Sequence, residues 1–432
     1  MVFSLLSSGL LVSLFFACAP QSHALSIDLK ASLSLAGHSP KPIAAAWYAG
    51  WHANEGFPLS KVPWDKYTYL TYSFAITTED PRLISLNGSE PDLLPEFVKT
   101  AHQHHVGALV SFGGWTGSRF FSPAVGSPEN RTAFVKTVTD FATKYDLDGI
   151  DFDWEYPNGA GIGCNAISPN DTTNFLAFLK ELRSTEVGGK LLLTAATAIT
   201  PFSNADGEPS ADVSEFAKVL DFIAIMNYDI WGSWSETVGP NAPLDDTCAS
   251  KANQQGSAVS AVKAWSEAGI PKNQLILGVP AYGHSFTVNK TAAFNGTEKL
   301  QLYPAFNASV HQAGDKWDDG AGLNVCGVEE PNGGNFNFWG IIEAGYLNED
   351  GSPKKGVPYR FDECSKTAYV YDEKRELVVS FDDATSFSAK GKFIADNGLA
   401  GFAMWESGGD YNDILLDSIR KGCHAHNGIT LG

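Results

Sequence analysis

The chain has 432 residues, room for one large domain or two ordinary ones. A formal net charge of −19, without any cluster of Lys and Arg, argues against nucleic acid as a partner, because phosphate binding needs such clusters. Aromatics make up 12% of the residues, with 11 Trp, which suits a neutral ring-shaped ligand such as a sugar and also ordinary core packing.

The first segment, MVFSLLSSGLLVSLFFACAPQSHA, reads as a secretory leader over residues 1–24. It has a long apolar run followed by a small-residue cleavage site at Ser22-His23-Ala24. The run is too short and too rich in Ser for a membrane anchor, and no later segment is long and apolar enough to span a bilayer. A secreted, extracellular protein with no membrane partner is expected. Of six cysteines, Cys18 falls in the leader, leaving Cys164, Cys248, Cys326, Cys364 and Cys423. In an oxidising compartment these give two bridges and one odd thiol. Pairing Cys164 with Cys248 assumes neighbouring loops on one face, and pairing Cys326 with Cys364 assumes a staple within one segment. No CxxC motif or Cys/His cluster suggests zinc. Sequons at Asn87, Asn130, Asn170, Asn289, Asn295 and Asn307 fit a secreted glycoprotein.

Short apolar, β-rich runs are predicted strands at 43–51, 67–75, 106–114, 147–156, 190–198, 220–229, 274–283 and 398–406. Helical patterns lie between most of them, for example 130–146 and 172–185, the second preceded by SPND with Asp171 as its expected cap. Strands alternating with helices imply parallel βαβ units, and eight strands point to an α/β fold, a closed (β/α)8 TIM barrel. Between the seventh and eighth strands the spacing stretches, and residues 288–382 are rich in Gly, Asn and aromatics. That segment is expected to be a small α+β insertion domain, with the barrel formed by 25–287 and 383–432.

Active sites of such barrels sit at the C-terminal ends of the strands. The fourth predicted strand, LDGIDFDWEYPNG, ends in Asp151, Asp153 and Glu155, which alternate with Phe152 and Trp154. Residues two apart on a strand point the same way, about 7 Å from one another. If the aromatics face the helices, the carboxylates face the barrel interior, where unpaired charge is costly. Three like charges there must share protons, so their pKa values are driven apart and the outermost, Glu155, is suited to act as a general acid. A calcium loop needs turn geometry and a central Gly, which this β-patterned stretch lacks. Spacing alone suggests an acid and a second carboxylate in an inverting glycosidase.

The stretch DGIDFDWEYP resembles the DxxDxDxE signature of the family-18 glycoside hydrolases, the chitinases. SFGG at 111–114, MNYD at 226–229, GVPAYG at 278–283 and FAMWE at 402–406 resemble that family's signatures on the third, sixth, seventh and eighth strands. The resemblance extends from about Ile43 to Arg420 and is nearest to secreted fungal chitinases with an insertion domain. It implies hydrolysis of β-1,4-linked N-acetylglucosamine in chitin and chito-oligosaccharides, without a cofactor or metal, by a monomer. Glu155 would protonate the glycosidic oxygen. Asp153 would position the acetamido group of the sugar, Asp151 would share a proton with Asp153, and Tyr228 would donate to the acetamido carbonyl. Met226 and Asp229 would shape that pocket, Trp405 would floor the sugar, and Tyr48, Phe74, Trp115, Trp234 and Tyr282 would line the cleft. The nucleophile would then be the substrate's own acetamido oxygen, with net retention, as the family is an exception to the two-carboxylate scheme. His284 stands where many members have Arg. The alternatives are an endo-β-N-acetylglucosaminidase acting on N-glycans, which shares the motif, and a chitin-binding lectin without catalysis, which lacks the acid.

Overall fold

The computed structural model describes residues 42–424, and the leader expected over 1–24 lies outside them. Seven barrel strands follow in chain order: β1 (Ile43–Ala49), β2 (Tyr69–Thr77), β3 (Gly107–Gly113), β4 (Gly149–Asp153), β5 (Leu192–Thr197), β6 (Phe222–Ile225) and β7 (Leu275–Pro280). The chain then enters a second sheet with β8 (Tyr282–Thr287), β9 (Asn335–Asn337), β10 (Tyr359–Asp362), β11 (Thr367–Asp372) and β12 (Leu377–Phe381), and returns as β13 (Gly401–Trp405). The barrel order is β1-β13-β7-β6-β5-β4-β3-β2, all parallel, and β1 also pairs with β2 to close the ring. The fold is a (β/α)8 barrel with an α+β insertion between its seventh and eighth strands.

These segments become strands because both faces of a barrel strand are covered, so apolar runs without polar alternation are stable there. Every residue of β1, β3, β4, β5, β6 and β7 is buried. The principal helices are α1 (Leu94–Gln103), α2 (Pro128–Tyr145), α3 (Asp171–Ser184), α4 (Ala258–Glu267), α5 (Ala384–Asn397) and α6 (Ile414–His424). Asp171, expected as a cap, is instead the first residue of α3. Its carboxylate accepts from Ser122 Oγ (2.6 Å) and from the backbone N–H groups of Asn158 (3.1 Å) and Ser168 (2.9 Å), which pins the loop that follows β4.

The insertion sheet is antiparallel, in the order β9-β8-β12-β11-β10. Its first strand starts at Tyr282, not at 288, because the chain turns at Ala281 from the barrel directly into the second sheet. Ala281 donates its N–H to Trp405 (2.8 Å) in the barrel and accepts from Phe338 (2.8 Å) in the insertion. The expected disulfides are corrected. Cys164 pairs with Cys326 and Cys248 with Cys364, with Cα atoms 5.7 and 6.3 Å apart. Each bridge joins a barrel loop to the insertion, because the insertion folds back onto the barrel loops instead of standing apart. Cys423 is free and buried, and burial pushes its thiol up to about 12.

The insertion rejoins the barrel at a buried ion pair, Lys390 Nζ with Asp382, in which neither side chain has any exposure. Burial drives both groups toward neutrality, raising Asp382 to about 6 and lowering Lys390. Lys390→Met would leave a buried carboxylate without its partner, and the expected cost is about 3–5 kcal/mol in urea unfolding. Near-parental stability would show that the pair does not hold this junction.

Candidate active site

Alternation along β4 sorts its side chains into two sets. Phe152 and Trp154 point to the helices, Phe152 against Phe175 and Phe178 (centroids 5.9 and 5.4 Å) and Trp154 against Phe121 (5.1 Å). Asp148, of the same parity, lies at the other end of the strand. There its Oδ2 accepts from the N–H of Ala108 (2.8 Å) and meets His102 Nε2 (2.9 Å). Asp151 and Asp153, of the opposite parity, point inward, and both are buried.

Asp151 is surrounded by donors on three other strands, two of them its neighbours. Trp47 Nε1 (3.1 Å) and Ser111 Oγ (2.8 Å) donate to Oδ2, and Thr194 Oγ1 (2.7 Å) donates to Oδ1. Ser111 and Thr194 are its register partners on β3 and β5. Burial raises the Asp151 pKa, while the three donors favour its charged form and pull it back. Asp153 has no such support. Its Oδ1 is buried and has no hydrogen-bond partner among the described residues. Burial first, then the charges of Glu155 and Asp151, hold its carboxyl well above the usual carboxylate range. Of the two aspartates, Asp153 is thus held further toward its protonated form than Asp151.

Glu155 sits just past the strand and is partly exposed. Its N–H donates to Ser118 Oγ (3.0 Å), and its carbonyl accepts from Asn165 Nδ2 (2.7 Å). Burial raises its pKa to about 7, Asp229 adds to that rise, and a hydrogen bond with Tyr156 opposes it. The SFGG turn is required by close approach. Gly113 has φ +110, and a Cβ there would lie 2.1 Å from the carbonyl oxygen of Asp153.

Tyr228, on the turn after β6, is buried and faces the same carboxylates. Burial first, then the neighbouring carboxyl groups Asp153, Asp229 and Glu155, push its phenol well above the usual tyrosine range. Asp229, in the left-handed region at φ 56, accepts on Oδ1 from Tyr282 Oη (2.6 Å) and pairs there with His284 Nε2 (2.7 Å). His284, left open from the sequence, is thus a buried partner of Asp229. Met226 is half-buried, its N–H bound to Thr197 (2.8 Å).

Trp405 ends β13 and forms an aromatic shelf with Phe74 (5.4 Å, 24°) and Trp51 (6.5 Å, 47°), with Trp47 edge-on behind it (6.0 Å, 63°). Trp115 and Trp234 are 48% and 63% exposed, free to stack on a ligand. Tyr48, expected in the cleft, is not there. It is fully buried on the helix side against Tyr72 and Phe97, with its hydroxyl on the carbonyl of Phe57 (2.9 Å). Trp47, its neighbour in β1, points inward instead. Sequence reasoning also missed Thr194 and Trp51 and gave Ser111 no role of its own. The missing signal is cross-strand register, which pairs Ser111 and Thr194 with Asp151.

The arrangement offers a proton donor near neutrality, an adjacent neutral carboxyl, a phenol donor and a flat aromatic floor, the requirements for cleaving an acetal bond. A model of the glycosyl hydrolases family 18 matches residues 44–410. The chain is 56% identical over 398 residues to a chitinase-like effector of Moniliophthora roreri, covering 92% of this chain and 96% of that protein. It is 31% identical over 324 residues to Chitinase A1 of Niallia circulans, covering 72% of this chain and 42% of that protein. The crystal structure of the chitinase RmChi1 from Rhizomucor miehei superposes with a TM-score of 0.79 at 33% identity, over 89% of this chain and 100% of that one. The family match spans the barrel and the insertion alike, and the chain belongs to the glycosyl hydrolases family 18, a family of glycoside-hydrolysing enzymes.

Proposed function

We propose that the protein hydrolyses β-1,4-linked N-acetylglucosamine in chitin and chito-oligosaccharides by substrate-assisted retention. The observation that carries this reading is the proton distribution at the end of β4. Glu155 is raised to about 7, while the neighbouring Asp153 is held neutral with one oxygen unpartnered. A neutral Asp153 is a poor nucleophile, so an attacking group must come from elsewhere. A 2-acetamido oxygen of the substrate supplies it. Tyr228 donates to that acetamide, and Asp153 Oδ1 accepts its N–H and turns the oxygen toward C1. Glu155 gives its proton to the glycosidic oxygen as the C1–O bond breaks, and the acetamido oxygen closes on C1 as a cyclic oxazolinium ion. Water then attacks C1 as the bond from C1 to the acetamido oxygen breaks and the acetamide is restored, and its proton passes to the Glu155 carboxylate, which restores the acid.

The apolar segment at 1–24, two disulfides and the sequons support secretion of a glycosylated chain. Asn87, Asn170, Asn289, Asn295 and Asn307 are exposed. Mass spectrometry of protein recovered from culture medium should find residues 1–24 removed and N-glycan attached, and an intact leader would contradict this. A second reading keeps the sugar cleft without turnover. The name chitinase-like effector, borne by the Moniliophthora roreri relative, is the observation on its side. The presence of Glu155, Asp153 and Tyr228 together weighs against it.

Glu155→Gln should fold as the parent does and lose chitotetraose hydrolysis by about 10²–10⁴-fold, the usual worth of a general acid. Near-parental turnover in a pure sample would refute the assignment, and an inactive parent that still binds the oligomer would favour the second reading. The acid must be protonated to work, so activity should fall as pH rises through about 7. Because the Asp229 charge raises Glu155, Asp229→Asn should move that alkaline limb to lower pH, and a limb that stays in place or moves upward would disconnect the two groups.

A further inference from the structure

The Cys164–Cys326 bridge joins parts of the molecule that lie on opposite sides of the barrel mouth. Cys164 is in the loop after β4, next to Asn165, which holds the carbonyl of Glu155. Cys326 is at the tip of a hairpin whose short strands pair Gly322 with Glu330 and Leu323 with Glu329. The base of this hairpin is fixed at the other side. Trp317 stacks on His52 (3.8 Å, 9°) and donates through Nε1 to the carbonyl of Glu55 (3.2 Å), both in the loop after β1. Gly334 accepts from the N–H of Ser285 in β8 (3.0 Å). In the ring order, β4 stands four places from β13, and β13 lies between β1 and β7.

Eight strands spaced about 4.8 Å and tilted about 36° enclose a ring about 15 Å across. The nine residues from Trp317 to Cys326 reach at most about 30 Å, enough to cross that mouth, and the eight from Cys326 to Gly334 reach far enough to return. Between its anchors the hairpin leaves its apolar side chains in the open. Leu323, Val325 and Val328 are 68%, 47% and 56% exposed. Among the described residues, the side-chain hydrogen bonds of 320–331 stay within the hairpin and its neighbour Asn332, apart from Cys326 Sγ to the carbonyl of Ile162. Apolar side chains left uncovered on a hairpin tied down at its tip are those of a bridge over open space.

We infer that residues 318–334 form a strap, locked by Cys164–Cys326, over the sugar site between Trp405 and Glu155. A polymer cannot drop into a site closed on all sides, so it enters by threading a free end. The strap thus selects chain ends over internal linkages. This deepens the proposed chitin hydrolysis and rests on it.

The test uses the unaltered protein first. Short and long soluble chains of N-acetylglucosamine are supplied at equal mass. The initial rate should follow the concentration of ends, so a chain about tenfold longer is cleaved about tenfold more slowly, because that smaller fraction of sugar is competent to bind. The same length dependence should appear in the association rate of Glu155→Gln protein with these chains, a readout that needs no turnover. Opening the strap, by Cys164→Ser with Cys326→Ser or by replacing 321–331 with two glycines together with Cys164→Ser, should remove most of that length dependence. Chitotetraose turnover, which reports that the variants are folded, should stay within about twofold. Equal rates per mass on short and long chains, for either readout of the unaltered site, would overturn the strap while leaving the hydrolase reading intact. Opened variants that keep chitotetraose turnover and the parental length dependence would also overturn it. Binding of both chains without cleavage would remove the hydrolase reading alone, and failure to bind either chain would remove both.

Discussion

Like charge inside the barrel is the constraint on which the site depends. Three carboxyl groups lie within five residues at the end of β4, and a barrel interior does not tolerate three charges. The protein resolves this by unequal surroundings. Asp151 takes donors from β1, β3 and β5 and can hold the charge. Asp153 has no partner on Oδ1 among the described residues and is pushed toward its protonated form. Glu155, at the rim, is left near neutrality. The chemistry follows from that gradient along one strand, because a neutral middle carboxyl can orient a substrate but does not attack it.

The rest of the barrel serves this gradient through register. Ser111 and Thr194 reach Asp151 because β3 and β5 bring them level with it. Gly113 lets β3 approach the carbonyl of Asp153, and Ser118 and Asn165 fix the backbone of Glu155. On the opposite side, Trp405, Phe74 and Trp51 form an aromatic surface on which the sugar of the proposed substrate would rest. The insertion adds Tyr282 and His284, whose contacts hold Asp229 between the two sides.

Much of this was legible in the chain because period-two alternation is unambiguous where charged and aromatic residues take turns, as in IDFDWE. The same rule failed at Tyr48. In IAAAWYA every residue is apolar and buried on both faces, so nothing in the sequence says whether Trp47 or Tyr48 turns inward. The insertion was visible as a stretch in strand spacing, but its start at Tyr282 was hidden because one apolar run serves two sheets. The disulfide partners depend on where the insertion lands on the barrel loops, a long-range contact that local pattern does not encode. Asp171 illustrates the same limit, since a residue that looks like a helix cap became the tie for a loop thirteen residues upstream.

In the proposed mechanism the substrate's acetamide, and no enzyme carboxylate, acts as the nucleophile above a protonated Asp153. Proton NMR of chitotetraose hydrolysis, followed from the first turnovers before mutarotation, tests this directly. The β-anomer should form first, as retention through a cyclic oxazolinium ion requires. First formation of the α-anomer would mean direct attack by water and would contradict the role assigned to Asp153.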